Sequence, residues 1–158
     1  MPTENRRPST EPRCPNSNTS SNTSSSTSTS PACPAPPPDW RPGVFDHHRL
    51  DAYVVAREAL IRGDALAQCL PRGYAKLADQ LRRALLSAHL GVAEAASRTG
   101  ADRAARFRCA RGEASEAAAA LEAALLLRLA PAAEVETLLG LLARLCAMLT
   151  RLAALRPR

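Results

Sequence analysis

The sequence predicts an all-α protein, an up-down-up-down antiparallel four-helix bundle preceded by a disordered N-terminal tail. Three observations carry this. Apolar residues recur at helical spacing over four long segments after Gly43. Short Pro- and Gly-containing breaks separate those segments, and such short loops join antiparallel neighbours. Residues 1–43 have a different composition, with Asn, Ser and Thr alone from Asn16 to Ser30 and prolines on both flanks.

The tail buries too little apolar surface to offset its ordering entropy, so disorder with polyproline II pieces is expected over 1–43 and the bundle over 44–155. The first helix is expected from about Phe45 to Cys69, with Leu50, Tyr53, Val54, Leu60 and Ile61 as its stripe. Gly63 weakens it locally, and Leu70-Pro71-Arg72-Gly73 is a stop-and-turn signal. The second runs from about Tyr74 to Ser97, with Leu77, Leu81, Leu85, Ala88, Val92 and Ala95 on one face, and Thr99-Gly100 closes it. The third begins at Ala101-Asp102, an acid that suits a helix N-terminus, and continues to about Leu129. Phe107, Ala110, Ala114, Ala117, Leu121 and Leu125 should face inward. Pro131 starts the fourth, which reaches about Leu155 with Val135, Leu138, Leu139, Leu142, Leu145, Met148, Leu149 and Leu152 on a broad apolar face. Leu126, Leu127 and Leu141 fall off the main stripes, which predicts a partner surface and a homo-oligomer.

Composition narrows the function. The net charge is +6, and Lys76 is the only lysine among 21 basic residues. A basic balance points to a polyanion partner, RNA or DNA. Aromatic residues make up 3% of the chain, so phosphate contacts rather than base stacking should supply affinity. The five cysteines are scattered without C-x-x-C spacing, which argues against a zinc site; Cys69, Cys109 and Cys146 are expected as buried thiols. Ser87 and His89 point apart on a helix, no Gly-rich phosphate loop is present, and no metal or cofactor is expected. The expectation is therefore a non-enzymatic protein. With no apolar leader and the apolar run near Leu121–Leu129 too short for a bilayer, it is expected to be cytoplasmic, without a membrane partner.

The arginines fall into two groups. Asp79 precedes Arg82 and Arg83 by three and four residues, so local ion pairs are available. Partners for Arg82, Arg83 and Arg111 are expected across inter-helix seams among Glu94, Glu113 and Glu116. Arg98, Arg103, Arg106 and Arg108 form a basic patch near the start of the third helix, expected to be exposed and open to nucleic acid.

The segment LADQLRRALLSAHLGVAEAASR, followed by ARFRCARGEASE, resembles the small bacterial four-helix bundle proteins first noticed in intervening sequences of large-subunit ribosomal RNA genes. Their pattern is D-Q-L/I-R-R-A-x-x-S-x-x-x-N-I-A-E-G, then R-F-x-x-x-A-R-G-S-x-x-E. Asp79 to Ala84, Ser87, Ala93, Glu94, Arg106, Phe107, Ala110, Arg111, Gly112 and Glu116 match it. The chain departs from it at His89, Gly91, Ala95 and Glu113. The resemblance covers roughly residues 44–155. It implies a ring-shaped homopentamer and a fold like that of the accessory variability determinant of diversity-generating retroelements, which works with a reverse transcriptase and nucleic acid. Within the motif, Asp79, Arg82, Arg83, Glu94, Arg111 and Glu116 are expected to serve structure and assembly. The alternative to nucleic-acid binding is a structural or protein-interaction bundle whose arginines form inter-helix and inter-subunit ion pairs.

Overall fold

A computed structural model describes Gly43 and residues 45–155. The tail expected over 1–43 lies outside the described residues apart from Gly43. A 3-10 turn, Asp46–Arg49, leads into α1 (Asp51–Cys69). A second 3-10 turn, Arg72–Tyr74, precedes α2 (Ala75–Ala96), and α3 (Gly100–Leu126) and α4 (Ala132–Ala154) complete the domain. Each helix packs on its chain neighbours and α4 returns to α1, which closes an up-down-up-down four-helix bundle.

The core explains the geometry. Of the 26 buried hydrophobic residues, 13 are alanines, and all 13 lie on α1, α2 and α3. Alanine carries one carbon beyond the backbone, so these three helices approach closely. Two glycines bring them closer still. A Cβ on Gly63 would stand 2.1 Å from Leu85 Cδ1 of α2, and one on Gly91 would stand 3.0 Å from Ala110 Cβ of α3. In contrast, α4 buries only Val135, Leu138, Leu142, Leu145 and Leu149. Its large side chains fill the space that small ones leave, as close packing requires. By length and apolar composition α4 could also cross a bilayer. In the bundle its leucine stripe faces the other helices, and Arg144 and Arg151 lie on its exposed side.

The α3–α4 connection is built on an unexpected residue. Leu129 N donates to Ala124 O at 2.9 Å and Arg128 N to Leu125 O at 2.9 Å, the paired bonds of a Schellman motif. Its left-handed position, normally glycine, is Arg128 at φ 55.

Two sequence expectations are corrected. The first helix does not bury the stripe read from its large residues. Val54 is 46% and Ile61 64% exposed, and Leu50, Tyr53 and Leu60 only flank the core. Ala52, Val55, Ala56, Ala59, Gly63, Leu66 and Ala67 face inward instead. Close approach to α2 selects the smallest side of α1, so size outweighs hydrophobicity there. The cysteines are also misassigned: Cys69 and Cys109 are exposed and Cys146 is half-buried. Each sits beside the core-facing sector of its helix rather than within it.

Gly63→Ala should lower the unfolding free energy by about 1 kcal/mol, because overpacking costs about 1–3 kcal/mol and outweighs the gain in helix propensity. Gly140→Ala meets nothing within 4 Å and should raise it by about 1 kcal/mol. Denaturant unfolding of both variants checks the contrast. Arg128→Gly should stabilise by about 0.5–1 kcal/mol, since a left-handed side chain costs about 1–2 kcal/mol and glycine's added chain entropy cancels part of that gain.

Candidate nucleic-acid interface

Up-down topology gathers the start of α1, the end of α2, the start of α3 and the end of α4 at one pole of the bundle. Most of the arginines singled out in the sequence lie there, but they are not equivalent.

Arg98 and Arg106 are already occupied. Glu94, near the end of α2, pairs with Arg98 on its own helix and with Arg106 on α3. Asp102 takes the other side of Arg98, with both carboxylate oxygens 2.8 Å from Nη1. Two arginines and two acids thus cancel in a closed cluster across the α2–α3 turn. The Asp102 hydrogen bond, followed by the charges of Asp102 and Glu94, holds the Arg98 guanidinium above its ordinary range. The expectation of an open Arg98 and Arg106 is corrected: both bind acids, and the Arg106 side chain is 35% exposed. The reason is geometric. Gly91 and Ala110 bring α2 and α3 together just below, so a carboxylate on α2 reaches a guanidinium two turns along α3.

Arg103 is half-buried, with its guanidinium carbon 5.4 Å from the centroid of the fully buried Phe107 ring. A cation over an aromatic face is itself stabilising. Of the four expected interface residues, only Arg108 is both exposed and free of an ion pair among the described residues.

Arg108 has a different companion. It lines an open groove of about 270 Å³ with Arg111, Leu149, Thr150, Ala153 and Ala154. Arg111 Nη1 donates to Thr150 Oγ1 at 3.3 Å. Among the described residues no carboxylate lies within ion-pair reach of Arg111, although a seam carboxylate was expected for it. On the other flank of α4 a second groove, about 310 Å³, is lined by Arg49, Leu50, Asp51, Ala52, Met148, Arg151 and Leu152. Arg49 and Arg151 are exposed and carry no ion pair among the described residues either. The last two turns of α4 therefore lie between Arg108 and Arg111 on one side and Arg49 on the other, with Arg151 projecting from α4 itself.

The remaining motif residues serve the helix seams. Arg82 Nε binds Asp64 of α1 at 2.8 Å, and Asp79 contributes a longer contact at 3.8 Å. Arg83 reaches Glu116 of α3 at 3.7 Å and donates to Gln80 at 2.7 Å. Glu116 was one of three seam acids expected for Arg82 and Arg83, and it pairs with Arg83; Asp64 was missed, because that partner lies on the preceding helix. Sequence reasoning also missed Arg49 and Arg151. Their signal was available in the topology, which sets the end of the fourth helix beside the start of the third. No protein-family model matches the chain, and no curated protein matches it.

Glu94→Gln should lower the unfolding free energy by about 1 kcal/mol, because it leaves a partly buried Arg106 without its counter-charge. The loss should shrink in high salt. Chemical denaturation at two ionic strengths measures both.

Proposed function

We propose that the bundle is a non-enzymatic nucleic-acid-binding protein that grips phosphates with Arg49, Arg108, Arg111 and Arg151 around the end of α4. The observation that carries this reading is that these four guanidinium groups share one pole and have no acid partner among the described residues, while their neighbours Arg98 and Arg106 are neutralised. An arginine held only by a hydroxyl, as Arg111 is by Thr150, keeps donors available for a phosphate. Both flanking grooves are open and shallow, which suits a backbone rather than an inserted base.

The motif resemblance extends the proposal. In a homopentameric ring of the kind found in the ribosomal RNA intervening-sequence proteins, the pole would repeat five times. A reverse transcriptase or its nucleic acid is then the natural class of partner. A second reading is favoured by the apolar side chains left outside the core: Ile61 and Val54 on α1, Leu86 (47% exposed) and Leu90 (54% exposed) on α2. Under it the bundle is an interaction module that docks protein.

Binding of the full-length chain to labelled RNA or duplex DNA should weaken steeply with salt, with a log–log slope of about −3 to −4 for four phosphate contacts per subunit. Arg108→Glu combined with Arg111→Glu should reduce affinity at least about tenfold, as loss of two charge-assisted contacts implies, whereas Arg98→Ala should change it little. Absence of retention at low salt, together with a light-scattering mass that shows assembly, would favour the interaction module instead.

A further inference from the structure

The chain's three histidines, His47, His48 and His89, converge on one cluster, at the turn whose last residue, Arg49, lines the second arginine groove. His47 stacks on Phe45, with ring centroids 5.5 Å apart, and meets both His48 and Tyr53 at 4.5 Å. Tyr53 of α1 in turn lies 4.6 Å from His89 of α2. This run of rings is what ties the turn Asp46–Arg49 to the two helices, because none of the turn's own residues is buried.

Two features make the cluster depend on neutral imidazoles. His48 Nδ1 accepts the Gly43 amide at 2.9 Å and the Phe45 amide at 3.5 Å. A protonated ring carries hydrogen on both nitrogens and cannot accept either bond. His89 Nδ1 is buried without a hydrogen-bond partner, so a proton placed there would be a buried charge with nothing to receive its hydrogen bond. Among the described residues, the charged and titratable groups that act on the rings are Asp46 on the turn, Arg57 on α1 and the histidines themselves, with Tyr53 in ring contact. Burial, and then the neighbouring His48, push the His47 pKa below its ordinary value. Burial, then His47 and Arg57, do the same to His89.

We propose that the turn from Phe45 to Leu50 forms an acid-released clasp. Neutral rings hold the turn on α1 and α2, and protonation of His47 and His89 frees it while the four helices stay folded. The sign follows from linkage. A ring held neutral in the docked state gains protons when it is released, so docking is at full strength above the ordinary histidine value of about 6.5 and is lost as pH falls through the lowered one. The helices are spared because the buried core contains no histidine.

The test is amide hydrogen exchange on the full-length chain, expressed as protection factors at about pH 7.5 and about pH 5. The amides of His48 and Leu50, which donate within the turn to Phe45 O and His47 O at 3.0 Å, should lose protection on the order of tenfold or more. Leu85 and Leu121 in the core should keep theirs. A combined His47→Phe, His48→Asn and His89→Phe variant preserves the ring stack and the acceptor without a titrating group. Its turn should stay protected at both pH values. Unchanged protection of the turn in the wild-type chain overturns the proposal, as does loss shared equally by the core. Loss in a folded triple variant overturns it too. Should that variant not fold, the wild-type comparison of turn and core decides alone.

Discussion

The close approach of α1, α2 and α3 is the constraint on which the rest of this structure depends. It is set by side chains that are nearly absent. Alanines line the inner faces of all three helices, and Gly63 and Gly91 stand where any Cβ would strike or crowd a neighbour. Helices packed this tightly leave no room for a long side chain between them. Volume must then come from a few large residues, chiefly Phe107 and Leu121 of α3, Leu81, Leu85 and Val92 of α2, and the Val and Leu stripe of α4. The same constraint decides which face of α1 turns inward. Its smallest face wins, and Val54 and Ile61 are left outside although they are the more hydrophobic residues.

Tight seams also dictate where charge can go. No polar or charged side chain is buried among the described residues. Arginine and acid must meet at the rims of the seams, where their stems pack on the helices and their heads reach water. Arg82 and Asp64 close the α1–α2 rim, Arg83 and Glu116 the α2–α3 rim, and Glu94 joins Arg98 to Arg106 where α2 turns into α3. Each pair is partly solvated and modest in energy. Together they fix the rotation of α1, α2 and α3, which nearly featureless alanine faces specify poorly. The arginines of the D-Q-L-R-R-A segment and the Arg106–Phe107 step thus serve the fold.

Much of the fold was legible in the sequence because it depends on local signals. Pro71, Gly73, Gly100 and Pro131 mark breaks that the structure places between helices or at their ends, and the inward faces of the second, third and fourth helices follow from leucine and alanine spacing. Most helix ends differ by only a few residues, as fraying termini allow, but the first helix expected from Phe45 is broken at the extended Leu50 into a 3-10 turn, Asp46–Arg49, and α1, which begins at Asp51. What the sequence did not yield depends on rotation and on partners far along the chain. Arg106 looks free beside Arg103 and Arg108, and only the approach of α2 reveals Glu94 as its acid. Arg111 looks like a seam residue, yet the helix across from it offers a threonine and no acid. A periodicity reading weights large residues, so it also misjudged α1, where small size was the selected property.

The arginine pole needs a further argument, because helix dipoles could be held responsible for its character. Two N-termini and two C-termini meet at that end. In an up-down bundle the positive ends of α1 and α3 are set against the negative ends of α2 and α4, so the macrodipoles largely cancel. Any net field there must come from side chains. The acids near the end of α2 and the start of α3, Glu94 and Asp102, are consumed by Arg98 and Arg106. Arg49, Arg108, Arg111 and Arg151 remain, and they surround the negative end of α4 rather than the positive end of α3. That dipole favours positive charge at the end of α4, and its effect fades within one turn.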